Sequence, residues 1–215
     1  NVNFSCIESN EKWDGIEIEN SDSSLTIQNS TFNNATLPIK ITNEAAYTYN
    51  EKIIKNNVFN CEGNQDFAIY AENVFNILVQ GNQFNVTGGS GQTVGLEVKI
   101  NEDYICKSCS PKINIINNSF TDGCASMVLS SYASELTPVY VYGNTFSGNS
   151  ATYNIIGRMI TGTIKNNSFT GTGTDNPVYL QQCTPDMFGN VINGGGTTMI
   201  LNGHSYPNLS PVRTS

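Results

Sequence analysis

Hydrophobic and polar positions alternate along this chain in an eight-residue segment that occurs seven times and ends in a large apolar residue. The clearest copy, residues 113–120, is Ile-Asn-Ile-Ile-Asn-Asn-Ser-Phe. The other copies are residues 25–32, 52–59, 77–84, 139–146, 162–169 and 185–192. They follow one another at intervals of 23 to 36 residues, which predicts a repeat protein whose units stack.

Each copy opens with a predicted strand. The residue five places before the final apolar residue is apolar in every copy, and the next residue is mostly polar. Because successive side chains on a strand point to opposite faces, the first of these two columns is predicted to be buried. The buried column comprises Ile27, Ile54, Val79, Ile115, Val141, Ile164 and Met187.

The strand is followed by a position that holds only Asn or Gly, and then by Asn in six of the seven copies. Asn and Gly enter the left-handed backbone region at least cost, so the first position predicts a sharp corner. Stacked amide side chains can donate and accept along a column, so the second position predicts a hydrogen-bonded ladder. The ladder comprises Asn57, Asn82, Asn118, Asn144, Asn167 and Asn190.

A second alternating segment follows each corner and predicts a further strand with one buried face. These segments are residues 39–41, 69–71, 96–98, 127–129, 178–180 and 199–201. Such short units cannot bury their apolar side alone, whereas a coil of parallel strands, rising roughly 4.8 Å per turn, aligns like residues above like. The sequence therefore predicts an all-β fold.

The Asn ladder beside a left-handed corner resembles the right-handed parallel β-helix superfamily, the pectin-lyase-like fold. The resemblance covers about residues 1–203 and implies a solenoid of about eight turns. It implies little about function, because lyases, hydrolases, adhesins and inert spacers share this coil. Residues 146–151, Phe-Ser-Gly-Asn-Ser-Ala, also resemble the Phe-x-x-Asn repeats of polymorphic outer-membrane proteins, and residues 32–35 are a looser version.

The length of 215 residues fits one domain, with the coil ending at residue 203. Residues 204–215 contain two prolines and are predicted to leave the strand ladder as an extended tail or linker. The chain starts at Asn1 without Met or a signal peptide, which predicts a processed chain or a piece of a longer one.

Composition argues against two kinds of partner. The net charge of −8 is unlike the basic surface that nucleic acid selects. No apolar run approaches the roughly 20 residues of a membrane-spanning helix, so no membrane span is predicted in this segment. No cofactor is predicted either.

Six cysteines suggest disulfides in an oxidising compartment. Cys106 and Cys109 have the spacing of half a zinc site, but no second Cys pair or His lies at ligand spacing, so no metal site is predicted. The favoured interpretation is a loop-stapling disulfide, either Cys106 with Cys109 or one of them with Cys124. Cys6 and Cys61 share a repeat position two turns apart, roughly 9.6 Å, which is too far for a disulfide.

Seven Asn-x-Ser/Thr triplets are candidate glycosylation sites in a secreted protein. Asn29, Asn117 and Asn166 belong to the corner column, so the better candidates are Asn34, Asn85 and Asn208, which lie away from it. The full set is Asn34, Asn85, Asn208, Asn3, Asn29, Asn117 and Asn166.

Long connections after the second strands carry Tyr47, Tyr49, Tyr104 and Tyr132. If these connections leave one corner of the coil, the tyrosines form a contact surface for carbohydrate or protein, or they merely cover that corner. Both interpretations stay open.

The pattern gives little support to catalysis. A glycosidase needs two carboxylates facing one groove, and the outward columns of the second strands place a cation or a hydroxyl between their acids. In neighbouring turns Glu17 falls beside Lys40 and Glu72 beside Lys99, which is how a solvated face spaces opposite charges. We therefore predict a non-enzymatic extracellular or cell-surface protein, a rigid rod or head-to-tail fibre unit that contacts itself, surface glycans or proteins. The alternatives are a carbohydrate-binding or carbohydrate-cleaving β-helix with a groove beside Tyr70, Glu97 and Tyr179, and a receptor-binding adhesin.

Overall fold

The repeated alternation produces three parallel β-sheets that wind around one core. The computed structural model is an all-β parallel solenoid, and every strand pair in it is parallel. Among the described residues there is no helix, and the chain visits the three sheets in rotation. The structure describes residues 2–4, 12–20, 23–43, 50–62, 67–87, 94–101, 112–121, 125–132, 135–148, 153–171, 176–193, 199–203, 207–209 and 213–214.

The described strands divide among the sheets as follows. Sheet 1 contains β1 (Val2–Phe4), β4 (Ser30–Asn33), β7 (Val58–Glu62), β10 (Gln83–Thr87), β13 (Ser119–Thr121), β16 (Thr145–Ser147), β19 (Ser168–Thr170), β22 (Val191–Asn193) and β25 (Arg213–Thr214). Sheet 2 contains β2 (Ile16–Glu19), β5 (Ile39–Thr42), β8 (Phe67–Glu72), β11 (Val94–Ile100), β14 (Ala125–Ser131), β17 (Tyr153–Arg158), β20 (Asn176–Gln181) and β23 (Ile200–Asn202). Sheet 3 contains β3 (Leu25–Gln28), β6 (Lys52–Lys55), β9 (Asn76–Gln80), β12 (Lys112–Ile116), β15 (Thr137–Tyr142), β18 (Ile160–Lys165), β21 (Thr184–Phe188) and β24 (Asn208–Leu209).

The core is built from columns of like residues. The predicted inward column lies on sheet 3, where Ile115 pairs with Val79 and Val141 and is fully buried. The repeat phenylalanines form a second column on sheet 1, and consecutive rings from Phe32 to Phe169 stack with centroids 4.5 to 5.0 Å apart. Burying each such side chain contributes roughly 1.5 to 3 kcal/mol, so the stack is a large part of the fold's stability.

The predicted corner has the predicted backbone. All seven residues of the corner column have φ between 52° and 65°, from Asn29 to Gly189. The prediction of a left-handed corner between sheets 3 and 1 is confirmed.

A second left-handed corner follows sheet 2, and the sequence did not reveal it. Asn20, Asn73, Met159 and Gln182 have φ between 49° and 57° there. Asn20 and Asn73 favour this conformation locally, but Met and Gln do not, so composition marks the corner in only some of the turns. The pairing of sheet 2 with the next turn imposes the conformation instead, since the Met159 N–H donates to the Gln181 carbonyl at 3.0 Å.

Two segments depart from the sequence interpretation. β17 is a regular strand between β14 and β20, although the sequence indicated an irregular turn there. Its outward residue Ile156 is apolar, which conceals the alternation. The prediction that residues after 203 leave the ladder is wrong for β24 and β25, which pair with β21 and β22. Pro207 precedes β24, so it removes no N–H from that two-residue strand.

Candidate functional site

The outer side of sheet 2, here called the polar face, carries two columns of side chains that point away from the core. The first column comprises Glu17, Lys40, Tyr70, Glu97, Val128, Ile156, Tyr179 and Ile200. The second comprises Glu19, Thr42, Glu72, Lys99, Ser130, Arg158, Gln181 and Asn202. The charged residues and the tyrosines of this face make it the candidate site.

Glu72 is the best-connected acid of the polar face. Its carboxylate accepts hydrogen bonds from Tyr70 Oη at 2.8 Å, Lys99 Nζ at 3.1 Å and Asn101 Nδ2 at 2.6 Å. Partial burial alone would raise the pKa of Glu72, but these hydrogen bonds and the Lys99 charge outweigh it and lower the pKa. Glu72 therefore stays ionised and fixed in position.

Glu97 lies one strand away, beside Tyr70 in the first column. Burial raises the pKa of Glu97, and the nearby charge of Glu72 adds to the rise while Lys99 opposes it. Burial also raises the pKa of the Tyr70 hydroxyl, with a further contribution from its hydrogen bond to Glu72. Neighbouring strands thus hold two carboxyl groups whose pKa values move in opposite directions, an arrangement that can separate a proton donor from a proton acceptor.

Beyond Glu97 the face becomes cationic around Tyr132. The Arg158 Cζ atom lies 4.6 Å from the centroid of the Tyr132 ring, and the Lys99 Nζ atom lies 5.8 Å from it. Ser130 lies between Lys99 and Arg158 in the second column. The Ser130 Oγ and the Arg158 Nε are both buried and have no hydrogen-bond partner within the described part of the chain.

The predicted groove of Tyr70, Glu97 and Tyr179 is only partly assembled. Tyr70 and Glu97 are neighbours, but Tyr179 lies three strands beyond Glu97, roughly 14 Å along the axis. The Tyr179 hydroxyl accepts a hydrogen bond from Asn202 Nδ2 at 2.9 Å, and its ring contacts Tyr153. The apolar residues Val128 and Ile156 separate the two ends of this groove.

The predicted contact loops fall mostly outside the described residues, as Tyr47, Tyr49 and Tyr104 do. Tyr132 is described, and its side chain is 41% exposed. Because its ring packs on Arg158, Tyr132 forms part of the polar face rather than the tip of a separate loop.

The sequons differ in exposure. Asn29, Asn117 and Asn166 are exposed at their corners, whereas Asn34 and Asn85, which the sequence favoured, are half-buried. Asn85 also donates from Nδ2 to the Oδ1 of Asn60 at 2.8 Å. Asn3 and Asn208 lie in β1 and β24. Exposure thus ranks the corner residues above Asn34 and Asn85, and glycosylation itself stays a prediction.

The cysteines proposed to form a disulfide, Cys106, Cys109 and Cys124, lie outside the described residues. Cys61 is a buried thiol, and burial raises its pKa to about 12, against a small opposing effect of Lys12. Within the described ranges, no group of three His, Cys, Asp or Glu side chains is placed to hold a metal ion. The same ranges contain no helix long and apolar enough to cross a membrane.

An aromatic cluster on the outer side of sheet 3 escaped the sequence interpretation. The Lys165 Nζ lies 5.2 to 5.4 Å from the ring centroids of Tyr140, Tyr142 and Phe188. Phe188 is 38% exposed. The signal was present, because Tyr142, Lys165 and Phe188 follow one another in the outward repeat column.

Comparisons with known proteins identify no relative of this chain. No protein-family model, no curated protein and no solved structure matches the chain. The functional argument therefore rests on the residues themselves.

Proposed function

We propose that this protein is a non-enzymatic structural or surface protein whose solenoid serves as a rigid rod. The observation that carries the proposal is the continuous Asn ladder. From Ser30 to Asn167, each backbone N–H in this column donates to the Oδ1 of the Asn in the next turn at 2.9 to 3.0 Å, and Asn190 is the last acceptor. A rod needs this kind of uninterrupted axial connection.

Three contacts per ladder residue support rigidity. The Nδ2 of Asn144, for example, donates to Asn167 Oδ1 in the next turn at 3.0 Å and to the Ile115 carbonyl in the preceding one at 2.9 Å. Its backbone N–H donates to the same Oδ1. Bending the coil at any turn would break buried hydrogen bonds, each of which costs about 1 to 3 kcal/mol to leave unmade.

The proposal extends to the right-handed, pectin-lyase-like form of the coil. It is supported by an Asn ladder directly after a left-handed corner and by the strong right-handed preference of parallel strand connections. An extracellular location, glycosylation and an adhesive surface belong to the same proposal, and they rest on the sequons and on a polar surface with few charges.

End-to-end association into a fibre is the most specific part of the proposal. Among the described strands, β3 forms one edge of sheet 3. The N–H groups of Leu25 and Asn29 donate to the carbonyls of Glu51 and Lys55 in the next turn, so strand alternation turns the N–H of Thr26 toward the open edge. Such an edge can pair with another chain.

Negative-stain electron microscopy of the native protein tests this association. We expect filaments with an axial repeat of roughly 40 Å, which corresponds to eight strand spacings. Thr26→Pro removes the N–H at the open edge without removing a bond to β6, and it should abolish the filaments. Thr26→Val keeps the N–H and is the matched control. Dispersed single rods of the unmodified protein at every concentration would refute the fibre.

A second candidate function is cleavage of a polysaccharide at the polar face. The opposite pKa shifts of Glu72 and Glu97 favour it, because a protonated and an ionised carboxyl group can share acid–base work. A screen of acidic and neutral polysaccharides should then detect newly formed reducing ends. Glu97→Gln should abolish this cleavage, whereas Glu19→Gln, a change on the same face, should leave it unchanged. Absence of cleavage across the screen would remove this candidate.

A further inference from the structure

The cationic end of the polar face contains two hydrogen-bond donors that no group in the described part of the chain uses. The Ser130 Oγ and the Arg158 Nε are buried without a partner among the described residues. Ser130 is only 8% exposed. Polar groups are rarely buried in this way unless a further group binds them, because the hydrogen bonds to water that they lose on burial are not replaced.

The two donors lie side by side. Ser130 on β14 is the register partner of Arg158 on β17, and both belong to the outward column. Adjacent strands are separated by roughly 4.8 Å, so one small group can contact both side chains. The donors therefore converge on one place on the face.

Arg158 also carries a charge that no acid in the described structure neutralises. The two other cations of the polar face are paired, Lys40 with Glu17 and Lys99 with Glu72. Arg158 instead lies over the Tyr132 ring, with its Cζ atom 4.6 Å from the ring centroid. The ring offers the guanidinium N–H groups no oxygen acceptor, so these groups stay available to a ligand.

We propose that Ser130 and Arg158 bind a single oxyanion of one negative charge, a carboxylate or a sulfate ester carried by a ligand. Arg158 supplies the charge and directed N–H donors, and Ser130 supplies a hydroxyl donor. Tyr132 holds the guanidinium in place from the solvent side. Glu97 nearby and the net charge of −8 disfavour a dianion such as phosphate.

The test is an NMR titration of the folded full chain, following the Arg158 Nε–H and the Ser130 amide at constant ionic strength. Sodium methyl sulfate and sodium acetate are the two probes, and sodium chloride controls for screening. We expect a saturable shift of these signals with one or both probes and none with chloride. The probe that binds more tightly shows whether the site prefers a tetrahedral sulfate ester or a planar carboxylate.

Three variants separate directed binding from charge. Arg158→Gln and Arg158→Lys should each weaken binding about tenfold or more, the second because it keeps the charge but loses Nε. Ser130→Ala should weaken binding by about the same factor without lowering Tm, since its hydroxyl has no partner among the residues that the structure describes. Lys55→Gln removes a cation from sheet 3 and should leave binding unchanged.

Three results would overturn the proposal. The first is a shift that does not saturate or that chloride reproduces. The second is unchanged affinity in both Ser130→Ala and Arg158→Lys, which would mean that the anion is attracted only by unspecific positive charge. The third is tighter binding of inorganic phosphate than of both probes. Each result is independent of whether the rods associate into fibres.

Discussion

Asn82 donates two hydrogen bonds to the Oδ1 of Asn118, one from its backbone nitrogen at 2.9 Å and one from its Nδ2 at 3.0 Å. The same Nδ2 reaches back to the Ile54 carbonyl at 2.8 Å. One amide therefore connects three successive turns. Because the ladder positions from Asn57 to Asn167 repeat these bonds, a substitution at one position should affect its neighbours on both sides.

Replacing Asn118 with Asp should destabilise the coil strongly. Asn118 is 2% exposed and donates from Nδ2 to the Val79 carbonyl at 2.9 Å and to Asn144 Oδ1 at 3.0 Å. A carboxylate loses both donors and buries a charge, so the free energy of unfolding should fall by on the order of 3 to 5 kcal/mol. Urea denaturation of Asn118→Asp measures this loss. Asn114→Asp, on the half-exposed outer side of the same turn, should change stability by less than about 0.5 kcal/mol. Equal losses would show that the ladder has no special role.

Truncating the aromatic stack should also be costly. Phe120 is 1% exposed and stacks on Phe84 at 4.5 Å and on Phe146 at 5.0 Å between ring centroids. Phe120→Ala removes the ring and leaves a cavity, so we expect a loss of about 3 to 5 kcal/mol. Phe188→Ala, at an exposed ring on sheet 3, should cost less than about 1 kcal/mol. Thermal and urea unfolding compare the two, and similar costs would contradict a packed core at Phe120.

Glycines of this chain should differ sharply in their tolerance of alanine. At Gly162, with φ of 96°, an added Cβ would lie 2.2 Å from the Val139 carbonyl oxygen and 2.8 Å from its nitrogen. At Gly143, with φ of 65°, it would meet only the Oδ1 of Asn117, at the end of a side chain that can turn. Gly162→Ala should therefore lower Tm far more than Gly143→Ala, which carries mainly the left-handed cost of about 1 to 2 kcal/mol.

Gly171→Ala is the matched control for both substitutions. An added Cβ there would have ordinary contact with the Gly148 carbonyl oxygen at 3.6 Å. We expect Gly171→Ala to leave Tm nearly unchanged. A Tm for Gly162→Ala as high as that of Gly171→Ala would mean that β15 and β18 can separate without cost.

The two acids of the polar face should give stability opposite pH dependences. The pKa of Glu72 is lowered in the folded state, so its contribution is present above the ordinary value of 4.5 and is lost as the pH falls through the folded pKa. The pKa of Glu97 is raised, so its contribution is present below 4.5 and is lost as the pH rises through the folded pKa.

Urea unfolding from acidic to neutral pH separates these contributions. Glu72→Gln should reduce the increase in the free energy of unfolding between acidic and neutral pH, because the hydrogen bonds from Lys99 and Asn101 lose their charged acceptor. Glu97→Gln should raise stability at neutral pH relative to the unmodified chain. Parallel pH profiles for both variants would contradict the assigned environments.

Local patterns predicted most of the fold. The inward column through Ile115, the corner through Asn117 and the ladder through Asn118 follow from side-chain alternation and from backbone preferences. These preferences act within a few residues, so they can be recognised in the sequence when the same pattern recurs in every repeat. The prediction failed where local signals were weak, as at β17 and at the Met159 corner, and where prolines suggested an end before β24.

The polar face could be predicted only in part. Adjacent turns gave the pairs Glu17 with Lys40 and Glu72 with Lys99, because equal repeat positions stack. The sequence did not place Arg158 beside Ser130 or on Tyr132, since the apolar outward residue Ile156 conceals the alternation of the strand that carries Arg158.

The sequence by itself determined the parallel coil, its Asn ladder and its buried phenylalanine column, because each follows from a local rule repeated at a short interval. Tertiary structure alone decided which outward side chains meet, in which direction the pKa values of Glu72 and Glu97 shift, and which donors have no partner among the described residues. Those properties depend on residues from different turns, and their contacts exist only after the strands pair.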